Sequence, residues 1–209
     1  MFNGLFSRRL VPLAAAISGL VVSGALSATP AQAALISTSA CDSSTLTQPF
    51  ARWGDTNAYK LVPGGSFESG TTGWKLSGGA AVTSGSEPYG ATGSVGKSSL
   101  YLPAGASAQT PYTCVNAAYP SLRFFARNNG LLSNVVVQLV YSNPLLGLIP
   151  IPVGTVALSG QWQPSLPMLT LSAIPGLLSG GTTQVALRFT ALLGSSQIDD
   201  IFVDPRARW

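Results

Sequence analysis

Three segments carry an apolar residue at every second position, and no other property of the chain restricts its fold so tightly. In residues 122–127, Leu122, Phe124 and Ala126 share one side while Arg123, Phe125 and Arg127 share the other. Residues 134–141 place Val135, Val137, Leu139 and Tyr141 opposite a side that includes Gln138. Val185, Leu187, Phe189 and Ala191 repeat the pattern and leave Arg188 and Thr190 outside. A period of two belongs to a β-strand with one buried face.

Shorter strand signals at 59–62, 74–76, 80–83, 98–102, 106–110 and 113–115 are separated by turn residues. Gly and Pro are abundant and only 9% of the 209 residues are charged, which suits many short strands and not amphipathic helices. The length favours one substantial core. The fold expected is an all-β sandwich of two antiparallel sheets. Residues 143–152 and 164–181 are apolar but interrupted by Pro144, Pro150, Pro152, Pro164, Pro167 and Pro175. Neither makes a long helix, and both are expected to be loops that plug the ends of the sandwich. Residues 63–68, Pro-Gly-Gly-Ser-Phe-Glu, read as a turn leading into the first core strand, and residues 197–204 as the last strand. The two are expected to be neighbours, which brings Glu68 toward Asp199 and Asp200.

Residues 1–33 read as an export signal: Arg8 and Arg9 precede an apolar run, and Ala31-Gln32-Ala33 is a small-x-small cleavage pattern. Sec and twin-arginine export both remain open. Loss of this leader removes two basic residues and no acid, leaving nine basic against seven acidic residues. The remainder are scattered, with none of the clustering that nucleic acid requires. Residues 34–58 are expected to form an irregular arm pegged by Phe50 and Trp53, and residues 59–209 the sandwich. Cys41 and Cys114 are the only cysteines. In an oxidising exterior a bridge between them is expected to tether the arm. It would close a loop of about 74 residues, worth on the order of 4 kcal/mol in the chain-entropy picture. The expected location is secreted, extracellular or at the cell surface.

Residues 91–98, Ala-Thr-Gly-Ser-Val-Gly-Lys-Ser, are close to a phosphate-binding loop. That chemistry needs a helix after the loop, whereas residues 99–102 read as strand, so a hairpin loop is expected. Histidine is absent, which excludes Ser-His-Asp and Cys-His catalysis. Glu68 with Asp199 or Asp200 resembles a glycosidase pair only in residue type. At the seam of the first and last strands, such carboxylates repel unless a proton or cation intervenes. Calcium, a hard ion taking oxygen ligands, suits that need.

Residues 64–68 followed by Gly73-Trp74, the alternating strand at 122–127, and Ile198-Asp199-Asp200-Ile201-Phe202-Val203 resemble the jelly-roll, galactose-binding-like carbohydrate-binding modules of secreted glycanases. Residues 59–205 are also similar to exported bacterial proteins built of this domain alone. The resemblance implies a non-catalytic module for carbohydrate or cell-envelope polymer, with Glu68 and Asp199 or Asp200 holding a structural calcium. Such modules usually stack sugars on two or more aromatic rings. Here the outward strand positions offer Arg123, Arg127, Gln138 and Arg188, with Phe125 as the one ring among them, and these five are the expected ligand-binding residues. The alternative is a structural or self-associating surface protein, suggested by the Leu-rich loops and low charge.

Overall fold

The computed structural model describes residues 45–115, 121–130, 132–143, 147–169 and 183–204, all within the compact unit Leu35–Trp209. The expected leader, and Cys41 with its bridge to Cys114, therefore lie outside the described residues. The elements run in chain order: a 3-10 turn at Ala51–Trp53, then β1 (Lys60–Leu61), β2 (Lys75–Ser77), β3 (Ala81–Ser84), β4 (Ser98–Leu102), β5 (Ser107–Gln109), β6 (Thr113–Val115) and β7 (Ser121–Asn128). They continue with β8 (Asn134–Asn143), β9 (Gly147–Ala157), β10 (Gln163–Pro164), β11 (Met168–Leu169), β12 (Thr183–Leu193) and β13 (Ser196–Asp204).

The first sheet has the order β10-β7-β13-β4-β3, with β11 also on β7 and β1 on β13; the second has the order β2-β5-β12-β8-β9, with β6 on β12. Every pairing between these strands is antiparallel. The alternation in the sequence explains the packing. Leu122, Phe124 and Ala126 of β7, Leu100 and Leu102 of β4, and Ile198, Ile201 and Val203 of β13 meet Val135, Val137 and Leu139 of β8 and Val185, Leu187, Phe189 and Ala191 of β12 in one core. Phe124 and Phe189 join the two sheets edge to face at 5.1 Å. Burial of each large side chain here contributes about 1.5–3 kcal/mol.

The opening strand differs from expectation. Residues 63–66 form turns and Phe67 has a φ of 60°, so residues 66–68 do not extend. The paired strand is β1, bonded to β13 through Lys60 to Val203 and Leu61 to Phe202. Past β1, Val62 donates to the Ile201 carbonyl and Ile201 to that of Gly65. First and last strands are thus neighbours as expected, although the strand is shorter and earlier. The second difference is β9, where a loop was expected: Pro150 and Pro152 lie inside an 11-residue strand. Among the described residues β9 is an edge strand that pairs with β8, and an edge tolerates residues without an N–H.

β13 contains a bulge. Asp199 faces Phe125 but Phe202 faces Arg123, so β13 carries one more residue than β7 over this interval. Asp200 absorbs it with a φ of 44°. The extra residue keeps Ile201 in the core and turns Phe202 to the outer face of the first sheet. There Phe50, Tyr59, Phe125, Trp162 and Phe202 form a second, smaller core. The arm supplies part of its cover: Thr47 and Tyr59 exchange backbone hydrogen bonds, and Phe50 stacks on Phe125 at 5.3 Å. Phe50 is fully buried and Trp53 half-buried, so both pack as the pegs they were expected to be.

Candidate functional site

The five residues expected to form one binding face do not share one. Arg123, Phe125 and Arg127 project from β7 on the outer side of the first sheet, whereas Gln138 of β8 and Arg188 of β12 belong to the second. Strand periodicity separates inward from outward positions but does not say which sheet a strand joins. Over β7 the outer side of the first sheet is also closed. Phe125 has no exposed surface and Arg123 only 5%. Arg123 Nη1 meets Asp55 Oδ2 at 2.7 Å, its Nε donates to the Ser165 carbonyl at 2.8 Å, and its guanidinium lies 4.2 Å from the Phe50 ring centre. Burial pushes the Asp55 carboxyl up, but hydrogen bonds from Tyr59, Arg123 and Asn57 outweigh it and hold the group below its ordinary value. Arg127 donates to Gln197 and lies over Trp162. These groups fasten the arm and the 162–165 segment to β7.

The outer side of the second sheet is different. The inward positions Leu76, Ala108, Leu187, Val137 and Leu139 belong to or pack on the core, so their alternating neighbours point out. Register then aligns Lys75 with Gln109, Gln109 with Arg188, and Arg188 with Gln138. These four side chains stand in one row across four strands, roughly 14 Å long at the usual spacing between strands. A second row, Ser77, Ser107, Thr190 and Val136, runs beside it. The Ser77 and Ser107 hydroxyls are 2.8 Å apart. Arg188 Nη2 donates to Gln109 Oε1 at 2.9 Å, while Gln109 Nε2, on a side chain only 3% exposed, has no hydrogen-bond partner. The far end of this face is closed, since Val140 and Ala186, paired on the same outward side, are fully buried. Of the row, the sequence pointed to Arg188 and Gln138. Lys75, Gln109 and Ser107 lie on three-residue strands, whose alternation around Leu76 and Ala108 is visible but too short to show what they pair with.

The carboxylates collect elsewhere, at the bulge of β13. Asp199 Oδ2 accepts from the Ser86 hydroxyl at 2.7 Å and the Glu87 amide at 3.0 Å, and its Oδ1 accepts from the Asp200 amide at 2.9 Å. Glu87, which sequence reasoning missed, accepts from the amides of Tyr89 and Ala91. Glu68 Oε1 accepts from the Lys97 and Ser98 amides, each at 2.8 Å. The loop that looked like a phosphate cradle thus turns its backbone donors on Glu68. Burial pushes Asp199 up to about 7. Asp200 rises to about 8 through burial, then the charges of Asp199 and Glu87, a hydrogen bond with Glu87, and the charge of Glu68. Among the described residues no three carboxylates converge as a metal-ligand set; Asp199 in particular has both oxygens occupied by protein donors. Asp199 and Asp200 are buried, so Glu68 does not face them across an open cleft as a glycosidase pair would.

A cavity of about 780 Å³ opens between β9 and the 163–169 segment, lined by Val153, Val156, Leu158, Leu166 and Met168 among others, none of them charged. Neither the row on the second sheet nor the carboxylate cluster contributes to its lining.

No family model matches the chain and no curated protein matches it. Solved structures do. One is the pair of CBM22-1 and GH10 modules of endo-1,4-β-D-xylanase 10B from Clostridium thermocellum, complexed with xylohexaose, at 14% identity and a TM-score of 0.51 over 72% of this chain. Another is the CBM22-1–CBM22-2 tandem domain of Xyn10C from Paenibacillus barcinonensis, at 13% identity and a TM-score of 0.52 over 71% of this chain. The chain spans 29% and 46% of those two chains. At such identities the likeness is one of architecture: the described domain has the jelly-roll-like β-sandwich fold found in carbohydrate-binding modules.

Proposed function

We propose that the protein is an exported, non-catalytic module that binds polysaccharide on the outer face of its second sheet. The observation that carries the reading is the row Lys75, Gln109, Arg188 and Gln138 with the hydroxyl row beside it. Together they form a band of side-chain donors and acceptors across adjacent strands, suited to a polymer of hydroxyls. On the first sheet the outer aromatic residues Phe125 and Phe202 are covered by the arm and the Trp162 segment. Fold supports the reading, since one similar structure is complexed with xylohexaose. No helix among the described residues is long and apolar enough to cross a membrane.

Calcium belongs to this proposal as a structural ion at the carboxylate cluster. The donor chemistry there is all oxygen and the carboxylates repel, which suits a hard cation. Asp200 with Glu68 would hold it, because Asp199 and Glu87 already spend both oxygens on protein donors.

Affinity electrophoresis against xylan, galactan, mixed-linked glucan and polyuronates tests the binding reading. Retardation by at least one polymer is expected, together with its loss in the double variant Gln138→Ala, Thr190→Ala. Retardation untouched by that variant would move the site off the second sheet. A self-associating surface protein is the second reading, favoured by the exposed Leu132, Leu148, Leu166, Leu169, Leu192 and Leu193. A concentration-independent monomer in sedimentation would remove it.

A further inference from the structure

We infer that the polymer held on the second sheet is acidic, a polysaccharide carrying carboxylates that Arg188 and Lys75 read. The inference rests on the proposed binding face and adds the charge of its ligand.

Charge is divided between the two sheets. The six described acidic residues, Asp55, Glu68, Glu87, Asp199, Asp200 and Asp204, lie on the first sheet, on loops bonded to it, or on the arm that covers it. The six strands of the second sheet contain no Asp or Glu, and Lys75 and Arg188 are their only charged residues. Both project outward in the same row, with Gln109 between them. On the first sheet, buried Arg123 has Asp55 as its counter-ion. Half-buried Arg188 has a neutral amide, the Gln109 oxygen, and Gln109 in turn keeps a buried Nε2 that no protein group satisfies. A half-buried guanidinium whose partner is a neutral amide lacks a counter-ion, and an anionic oxygen arriving at Arg188 supplies one.

The spacing suits a polymer better than one small anion. Lys75 and Arg188 stand on strands two apart, with backbones roughly 10 Å from each other at the usual strand spacing, and Gln109 lies between them. They match separate charges along a chain laid across the strands. The planar guanidinium pairs with a carboxylate through two parallel hydrogen bonds, which an ammonium does not. The outward positions of both rows also lack an aromatic ring on which a neutral pyranose would stack, so charge takes the place of stacking.

The test compares polygalacturonate with its fully methyl-esterified form, which keeps the sugar chain and removes the charge, alongside neutral xylan and dextran sulfate, each at low and high salt. Polygalacturonate is expected to bind at low salt. Esterification and Arg188→Gln should each weaken it about 10- to 100-fold, as for a lost charge-assisted pair. Lys75→Gln, on the exposed edge strand β2, should weaken it a few-fold without touching the core. Thermal melts of both variants establish folding. Equal binding of acid and ester, or binding of xylan alone, overturns the charge inference and leaves the binding face standing. Dextran sulfate binding as tightly as polygalacturonate, with no loss in Arg188→Gln, means simple ion exchange and also overturns it. Binding of no polymer by the folded protein removes both.

Discussion

Arg123 and Arg188 look alike in the sequence, each outward on an alternating strand, but Arg123 is buried against Asp55 on the first sheet whereas Arg188 is half-buried on the second, and one experiment tests the different roles proposed for them. Replacing Arg123 by Met keeps an apolar stem over Phe50 and deletes the 2.7 Å pair with Asp55, the 2.8 Å bond to the Ser165 carbonyl, and the cation over the Phe50 ring. Removing one partner of a buried ion pair costs about 3–5 kcal/mol where the other charge stays buried, and Asp55 is only half-buried. Tyr59 still donates to Asp55 Oδ2 at 2.6 Å, which points to the lower end, about 3 kcal/mol. That is a large share of the about 5–15 kcal/mol that stabilises an ordinary domain. Urea denaturation of the wild type, Arg123→Met, Asp55→Ala and the double variant reads the effect, with the double variant expected to lose about 0.5–3 kcal/mol less than the sum of the singles. The sign of the pH dependence follows from Asp55. Its carboxyl lies below the ordinary value in the folded protein, so its contribution is complete above the unfolded pKa. It fades as pH falls through the folded one, and the coupling should shrink in acid. Arg123→Met, where folded, should bind glycan as the wild type does. Additive losses, or a cost below about 1 kcal/mol, would refute the buried-pair argument; loss of binding by a folded Arg123→Met would refute the division of roles.

The carboxylates at the bulge give the opposite sign. Asp199 titrates near 7 when folded, against an ordinary 3.8, so stability present below pH 4 is lost as pH rises through 7, by on the order of 4 kcal/mol for this one group. With chelator present, the urea midpoint should therefore be higher at pH 5 than at pH 8. Calcium should restore part of the loss at pH 8, as a ligand bound only to the folded state does; no response at either pH removes the metal. Gly194→Ala should cost at least about 2 kcal/mol in thermal melts, because Gly194 has a φ of 61° and a Cβ there would run into the Leu132 carbonyl oxygen. A melt within a degree of wild type would mean that the turn after β12 is not held as described.

Periodicity was enough to establish the all-β class, because which side of a strand faces the core is a local property. Leu122, Phe124 and Ala126 had to share a side whatever they packed against, and the structure buries them together. The adjacency of first and last strands was also legible, although Phe67, at positive φ, breaks the strand that seemed to carry it. β9 was hidden because prolines forbid a helix yet permit an edge strand, and being an edge is a fact about neighbours. Glu87 escaped notice for a similar reason: nothing near it in the chain shows that its amide and carboxyl turn toward β13. What only the tertiary structure decided was sheet membership, cover and register. These separate Arg123 from Arg188, bury Phe125 beneath Phe50, and align Lys75, Gln109, Arg188 and Gln138 in one row from four distant parts of the chain. Side-chain direction is set by the backbone of a single strand; the surface a side chain belongs to is set by long-range hydrogen bonding that no short stretch of sequence contains.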